Sequence, residues 1–261
     1  MTDMNDLRGD DARHTLAFMS TIIALLAATA KAQIVVNSST LGLIVGQTLW
    51  VHQPTGLEVE VFRGIPYATL IDETTQNFAR FSSPNLNVDL SSFANYDPAY
   101  TFDGETFPAY VASNYGPSCP NKLDDATKPL CRTCSTRSKM VQDEENCLTL
   151  NLMRPAEAPF DFLPVFVFVH GGGGTVGSSA SYANTSALVS KGAMVITIQY
   201  RLGLLGWFSS PALDAEEAIR SGGASGNQAL KDVIGALTWV RKYAEDFGGD
   251  PSRITVFGQS F

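Results

Sequence analysis

Two stretches in the second half of the chain, Phe160–His170 (FDFLPVFVFVH) and Ala193–Tyr200 (AMVITIQY), are almost unbroken runs of apolar residues rich in Val, Ile and Phe. Runs of this length without polar alternation fit strands covered on both faces, the condition of strands inside a parallel sheet. Between them, Asn184–Lys191 can form a crossover helix. From Asn227 to Phe247, the residues Leu230, Val233, Ile234, Leu237, Val240, Ala244 and Phe247 recur at three-four spacing and predict a helix with one apolar face. Gly248-Gly249-Asp250-Pro251 stops it, and Arg253–Gly258 reads as the next strand. The order strand, helix, strand, helix, strand predicts an α/β fold with a mostly parallel central sheet and right-handed crossovers.

The first half adds a hairpin. Leu41–His52 and Leu57–Arg63 are apolar-rich runs separated by Gln53-Pro54-Thr55-Gly56, with His52 expected at the hairpin surface. Tyr67–Asn146, rich in Pro, Asn, Ser and Asp, reads as loops with short elements, and a stretch that long usually serves as a binding or lid region. No repeat, low-complexity tract or Gly/Ser linker divides the chain after its first segment. With 261 residues, 44% hydrophobic and 17% charged, the composition is globular and excludes a disordered chain. The net charge of −8, without a basic patch, excludes a nucleic-acid partner.

Residues 1–32 read as a signal peptide. Thr15–Ala30 is uncharged, Ala30-Lys31-Ala32 offers small residues where a signal peptidase needs them, and cleavage is expected before Gln33. The run falls short of the ~20 apolar residues that span a bilayer, so no membrane anchor is expected. Asp3, Asp6, Asp10 and Asp11 outweigh Arg8 and Arg13, the wrong sign for a leader's first region, and Met19 is an alternative start. Secretion agrees with Cys119, Cys131, Cys134 and Cys147, an even number that reads as two disulfides with three pairings open. Cys131 and Cys134 form a C-x-x-C, but no second such pair and no nearby His completes a zinc tetrahedron, so no metal is expected. Asn37-Ser38-Ser39 and Asn184-Thr185-Ser186 are glycosylation sequons.

The chemistry sits at two glycine-bearing strand ends. His170-Gly171-Gly172-Gly173-Gly174 follows the first buried strand, and a run without side chains lets backbone N–H groups converge into an anion hole. Gly172, Gly174 and Gly177 also satisfy G-x-G-x-x-G, but Ile198-Gln199-Tyr200 stands where a dinucleotide site needs an acidic residue. Gly258-Gln259-Ser260 follows the last strand and is the front half of a nucleophile elbow, G-x-S-x-G. Together the two motifs offer oxyanion donors and a nucleophile.

From about Gly46 to Phe261 the chain resembles the type-B carboxylesterases, the cholinesterase-like branch of the α/β-hydrolases. The resemblance is carried by Phe62–Ala68 (FRGIPYA), Arg80-Phe81 with Pro84, Glu145–Asn151 (ENCLTLN), His170–Gly174, Tyr200–Gly203 (YRLG), Gly226-Asn227-Gln228 and Phe247–Pro251 (FGGDP). It implies hydrolysis of a small-molecule carboxylic ester without metal or cofactor, with Ser260 as nucleophile and the N–H groups of Gly172, Gly173 and Phe261 as the oxyanion hole. It also implies a Cys119–Cys147 disulfide, worth about 3 to 4 kcal/mol in the chain-entropy model. An ion pair between Arg63 and Glu145, both within these landmarks, is a further expectation. His170 belongs to the oxyanion motif and is not the base, because the elbow family's chain order is Ser, acid, His.

The chain departs from the family pattern in three places. Gly174 replaces a frequent aromatic, Phe261 stands where Ala is common, and no acid or His follows Ser260. The expectation is therefore the N-terminal part of a serine carboxylesterase, truncated after the elbow strand and inactive as this chain. Its last strand is expected to form an exposed apolar edge. The competing class is a non-catalytic, cholinesterase-like adhesion protein, against which Ser260 beside an intact glycine run argues.

Overall fold

A computed structural model describes residues 33–51, 56–70, 80–121, 146–156, 162–182, 184–221 and 223–260. The expected leader, His52, Cys131, Cys134, Glu145 and Phe261 lie outside the described residues.

The nine strands among these residues form one sheet. They are β1 (Gln33–Ser38), β2 (Gly42–Val51), β3 (Leu57–Pro66), β4 (Tyr96–Phe102), β5 (Glu105–Val111), β6 (Thr149–Pro155), β7 (Leu163–Val169), β8 (Met194–Ile198) and β9 (Gly249–Gly258). Their order is β4-β5-β2-β3-β6-β8-β7-β9, with β1 paired to β2. The sheet is mixed rather than mostly parallel: β8-β7-β9, the strands of the two apolar runs and the elbow, are parallel, as are β2 and β5, and the remaining pairings are antiparallel. Every residue of β8 is buried, which is why its sequence does not alternate. The expected hairpin is β2–β3, antiparallel from Gln47↔Val61 to Val51↔Leu57. In β9, the end strand, Val256 is 47% exposed.

The long middle stretch holds more regular structure than its composition suggests. Strands β4 and β5 form a hairpin whose Phe102↔Glu105 pair is joined by Asp103-Gly104. Both turn residues have positive φ, +50° and +81°. Asp-Gly between strands is the favoured two-residue turn because its backbone twist matches that of the strands. Cys119 and Cys147, both buried, form a disulfide with a Cα–Cα distance of 4.9 Å, fastening this stretch to the start of β6.

The helices are α1 (Ser186–Val189), α2 (Gly203–Trp207), α3 (Pro211–Ser221) and α4 (Gln228–Tyr243). The crossover helix α1 is shorter than the spacing predicts, and a 3-10 turn, Ser179–Tyr182, takes up part of the connection. Helix α4 ends in a 3-10 turn, Ala244–Phe247, and then in the left-handed Gly248. Its buried face is partly the predicted one. Val240, Ala244 and Phe247 are buried and Val233 and Leu237 pack against the core, but Leu230 and Ile234 are exposed, and Ala229, Asp232, Ala236, Trp239 and Tyr243 are buried as well. A count of apolar residues gives Asp232 no weight, yet this carboxylate is held inside by an ion pair to Arg201. Just beyond the C-terminal end of the helix, Phe247 packs against Phe62 and Trp239 with ring centroids 5.2 and 5.9 Å away. A second buried pair, Glu60–Arg154 at 2.6 Å, faces across β3 and β6.

Candidate active site

Register brings the two glycine-bearing motifs together. Strands β7 and β9 run parallel with Phe168↔Phe257 and Val169↔Gly258 paired, so both end at one level. The chain leaves β7 as His170–Gly174 and leaves β9 as Gln259-Ser260. Ser260 is exposed and has φ +58°, a conformation that L residues other than Asn and Asp rarely adopt. A strained, positive φ is the conformation that a nucleophile elbow requires of its serine. A Cβ on Gly171 would lie 2.1 Å from the Gln259 carbonyl oxygen and 3.0 Å from Ser260 Cβ. Only glycine permits this approach, which sets the glycine run directly against Ser260.

The run is bent by positive φ at Gly172 (+135°), Gly173 (+64°) and Gly174 (+63°). The Gly172 carbonyl accepts from the Thr175 and Val176 N–H groups and from Thr175 Oγ1, each at 3.2 Å. Carbonyl and N–H of one trans peptide point in opposite directions, so holding the Gly172 carbonyl aims the Gly173 N–H the other way. Among the described residues, neither the Gly172 nor the Gly173 N–H donates to a backbone carbonyl.

His170 is buried beneath this loop. Its ring stacks on Tyr200 at 4.4 Å, and its Nδ1 lies 3.1 Å from the Gly171 carbonyl oxygen. Burial lowers the pKa of the imidazole, against the opposing effect of the Gly171 carbonyl and the Gln199 side chain. The neutral tautomer that donates from Nδ1 fits this setting. The Tyr200 hydroxyl donates to the His170 carbonyl at 2.6 Å, and burial pushes its own pKa up to about 12. Gln199 braces the next turn, accepting from the Ser179 N–H and donating to Ser178 Oγ, each at 3.1 Å.

Residues 32–261 match the sequence pattern of the carboxylesterase family. The chain belongs to that family. Among its relatives, human carboxylesterase 3 is 33% identical over 223 residues, 85% of this chain and 34% of the relative. The fumonisin B1 esterase of Sphingopyxis macrogoltabida is 44% identical over 124 residues, 47% of this chain and 22% of its own. The crystal structure of juvenile hormone esterase from Manduca sexta superposes with a TM-score of 0.64 and 29% identity. It covers 88% of this chain and 36% of the esterase. The chain thus spans between about a fifth and two fifths of the length of these relatives. The fold is the α/β-hydrolase fold.

In this carboxylesterase chain Ser260 follows β9 and Gly172 and Gly173 follow the neighbouring, parallel β7, at the same edge of the sheet. Arg63 donates through Nη1 to Gln47 Oε1 at 3.2 Å and to the Ser113 carbonyl at 3.3 Å, and its guanidinium lies 5.1 Å over the Tyr115 ring. Its expected partner, Glu145, is outside the described residues. Asn37 is exposed on β1; Asn184 is exposed beside α1, its Oδ1 accepting from Ser186 Oγ at 2.9 Å. No cluster of three or more His, Cys, Asp or Glu able to hold a metal occurs among the described residues. Nor is any described helix long and apolar enough to cross a membrane. Sequence reasoning missed the roles of Tyr200 and Gln199. Tyr200 lies in the quoted YRLG landmark, but only the fold shows it reaching back to His170.

Proposed function

We propose that this chain supplies the nucleophile and oxyanion hole of a serine carboxylesterase acting on small-molecule esters. Ser260 Oγ attacks the ester carbonyl carbon while its proton passes to a base. The carbonyl oxygen becomes an oxyanion held by the N–H groups of Gly172, Gly173 and Phe261. The tetrahedral intermediate collapses with cleavage of the carbon–oxygen bond to the alcohol, which leaves with a proton, and an acyl-serine remains. Water then attacks the acyl carbon, releasing the acid and restoring Ser260. The observation that carries this reading is the contact of Gly171 with Gln259 and Ser260, which sets donors and nucleophile side by side.

The base and acid of this chemistry follow the serine in the elbow family's order. Residues 1–261 contain neither in that order, and His170 is buried beneath the loop. We therefore read the 261-residue chain alone as inactive, since loss of the Ser or His of such a triad costs roughly a millionfold in kcat. Secretion, through Thr15–Ala30, and glycosylation at Asn37 and Asn184 belong to the same reading. Hydrolysis of a nitrophenyl ester tests it. A longer protein that adds an acid and a His of that order turns the ester over, and Ser260→Ala abolishes turnover. The isolated 261-residue chain leaves the spontaneous rate unchanged. Ser260-dependent turnover by that chain contradicts its inactivity, and turnover by the longer protein that survives Ser260→Ala contradicts the nucleophile.

A further inference from the structure

The segment that follows β8 holds the glycine run at both ends. At the near end, Tyr200 donates to the His170 carbonyl at 2.6 Å. At the far end, the Gly174 carbonyl accepts two hydrogen bonds, from the Gly203 N–H at 2.8 Å and from Trp207 Nε1 at 2.9 Å. The indole is packed so closely there that a Cβ on Gly174 would lie 2.8 Å from Trp207 Nε1. Arg201, inside the same segment, is anchored by Asp232. The glycine run is therefore braced by a part of the chain that is itself fixed in the core.

We propose that Trp207 is a positioning residue for the oxyanion hole, acting through two rigid peptide planes on the Gly173 N–H. The Gly174 carbonyl and the Thr175 N–H belong to one planar peptide, so a bond to that carbonyl sets the direction of that N–H. The Thr175 N–H donates to the Gly172 carbonyl at 3.2 Å. That carbonyl shares its plane with the Gly173 N–H, the group assigned to the oxyanion. The indole N–H thus aims the first plane, the first plane aims the second, and the second carries the donor. Preorganised donors stabilise developing charge without reorganising during the reaction, so a Gly174 carbonyl held by the Gly203 N–H alone gives a less firmly aimed, poorer hole. The catalytic consequence rests on the function proposed above; the loop geometry does not.

Hydrogen exchange, read by mass spectrometry on the 261-residue chain, tests the brace without requiring activity. Two replacements at position 207 are compared: Trp207→Phe, and benzothienylalanine, which keeps the size of the indole but lacks its N–H. Loss of one hydrogen bond is expected to speed exchange in the peptide spanning residues 170–177 by about five- to tenfold in both variants, with β7 and α4 unchanged. In a protein whose Ser260 reacts with a fluorophosphonate, the same variants are expected to slow that reaction by about tenfold. Wild-type exchange at 170–177 in the benzothienylalanine variant overturns the proposal, because packing alone then suffices. Equal acceleration in all peptides overturns it as well. If Ser260 takes no label while the local exchange effect is present, the proposed function fails and the brace stands.

Discussion

Arg201 and Asp232 meet in a two-pronged ion pair, Nε to Oδ2 at 2.7 Å and Nη2 to Oδ1 at 2.6 Å, with both side chains wholly withdrawn from solvent. Nη1 donates to the Arg80 and Ser82 carbonyls at 2.9 and 2.7 Å, and Nη2 also reaches the Gln228 carbonyl at 3.5 Å, so the buried charge is fully partnered. One interaction fixes α4 against the loop after β8 that braces the glycine run. Asp232→Ala strands the guanidinium, and removing one member of a buried pair costs about 3 to 5 kcal/mol. Urea unfolding is expected to show that loss at an unchanged slope. A loss below about 1 kcal/mol contradicts it.

Gly171→Ala tests the contact between the two site loops. The new methyl would meet the backbone Gln259 carbonyl, which cannot swing aside as a side chain could. Overpacking of this kind costs about 1 to 3 kcal/mol. Gly104→Ala is the control: it has φ +81° but nothing within 4 Å of the added Cβ. It should cost about 1 to 2 kcal/mol through backbone strain alone. The two differ in consequence at the site. Only Gly171→Ala is expected to suppress labelling of Ser260.

Stability should fall as pH drops, with His170 and Glu217 contributing over different ranges. His170 is buried, which lowers its folded pKa below the unfolded value of about 6.5, so its contribution is complete above that pH and is lost as pH falls below it. Burial pushes the Glu217 carboxyl up, but hydrogen bonds from Lys231, Ser221 and Ser83 outweigh it and hold the pKa down to about 2. Its contribution is therefore present above the unfolded value of about 4.3 and is lost between there and about pH 2. Thermal melts against pH, with Glu217→Gln flattening only the fall over the Glu217 range, check the assignment. A fall over that range that Glu217→Gln leaves intact contradicts it.

Glu145 remains the partner we propose for Arg63. The Arg63 Nε–H is buried and donates to no acceptor among the described residues. Glu145→Gln should destabilise the protein, and a double-mutant cycle with Arg63→Met should give a coupling of about 1 kcal/mol or more. Additive effects would place the two side chains apart.

Much of this architecture is legible in the sequence because burial on both faces leaves a simple signature. Strands β7, β8 and β9 and the β2–β3 hairpin follow from apolar runs bounded by Gly, Pro and polar residues. The burial of Asp232 on α4 does not, because its partner Arg201 lies 31 residues away and no periodicity records it. The β4–β5 hairpin carried a readable Asp103-Gly104 signal that the polar composition of its surroundings obscured. At the site, Ser260 and the glycine run are visible as motifs. Their contact arises from strand register, and the grip of Tyr200 and Trp207 on the run arises from tertiary folding, neither of which is written in local spacing.

The central claim is that Ser260 is the nucleophile of a site whose oxyanion donors come from the Gly172–Gly173 segment. Peptide mapping by mass spectrometry after reaction with a fluorophosphonate, on a protein that continues past Ser260 with the acid and base of the family's order, tests it most directly. The account predicts one phosphonyl adduct, on the peptide containing Gly258-Gln259-Ser260, absent in Ser260→Ala. An adduct on another serine, or labelling that persists in Ser260→Ala, would contradict it.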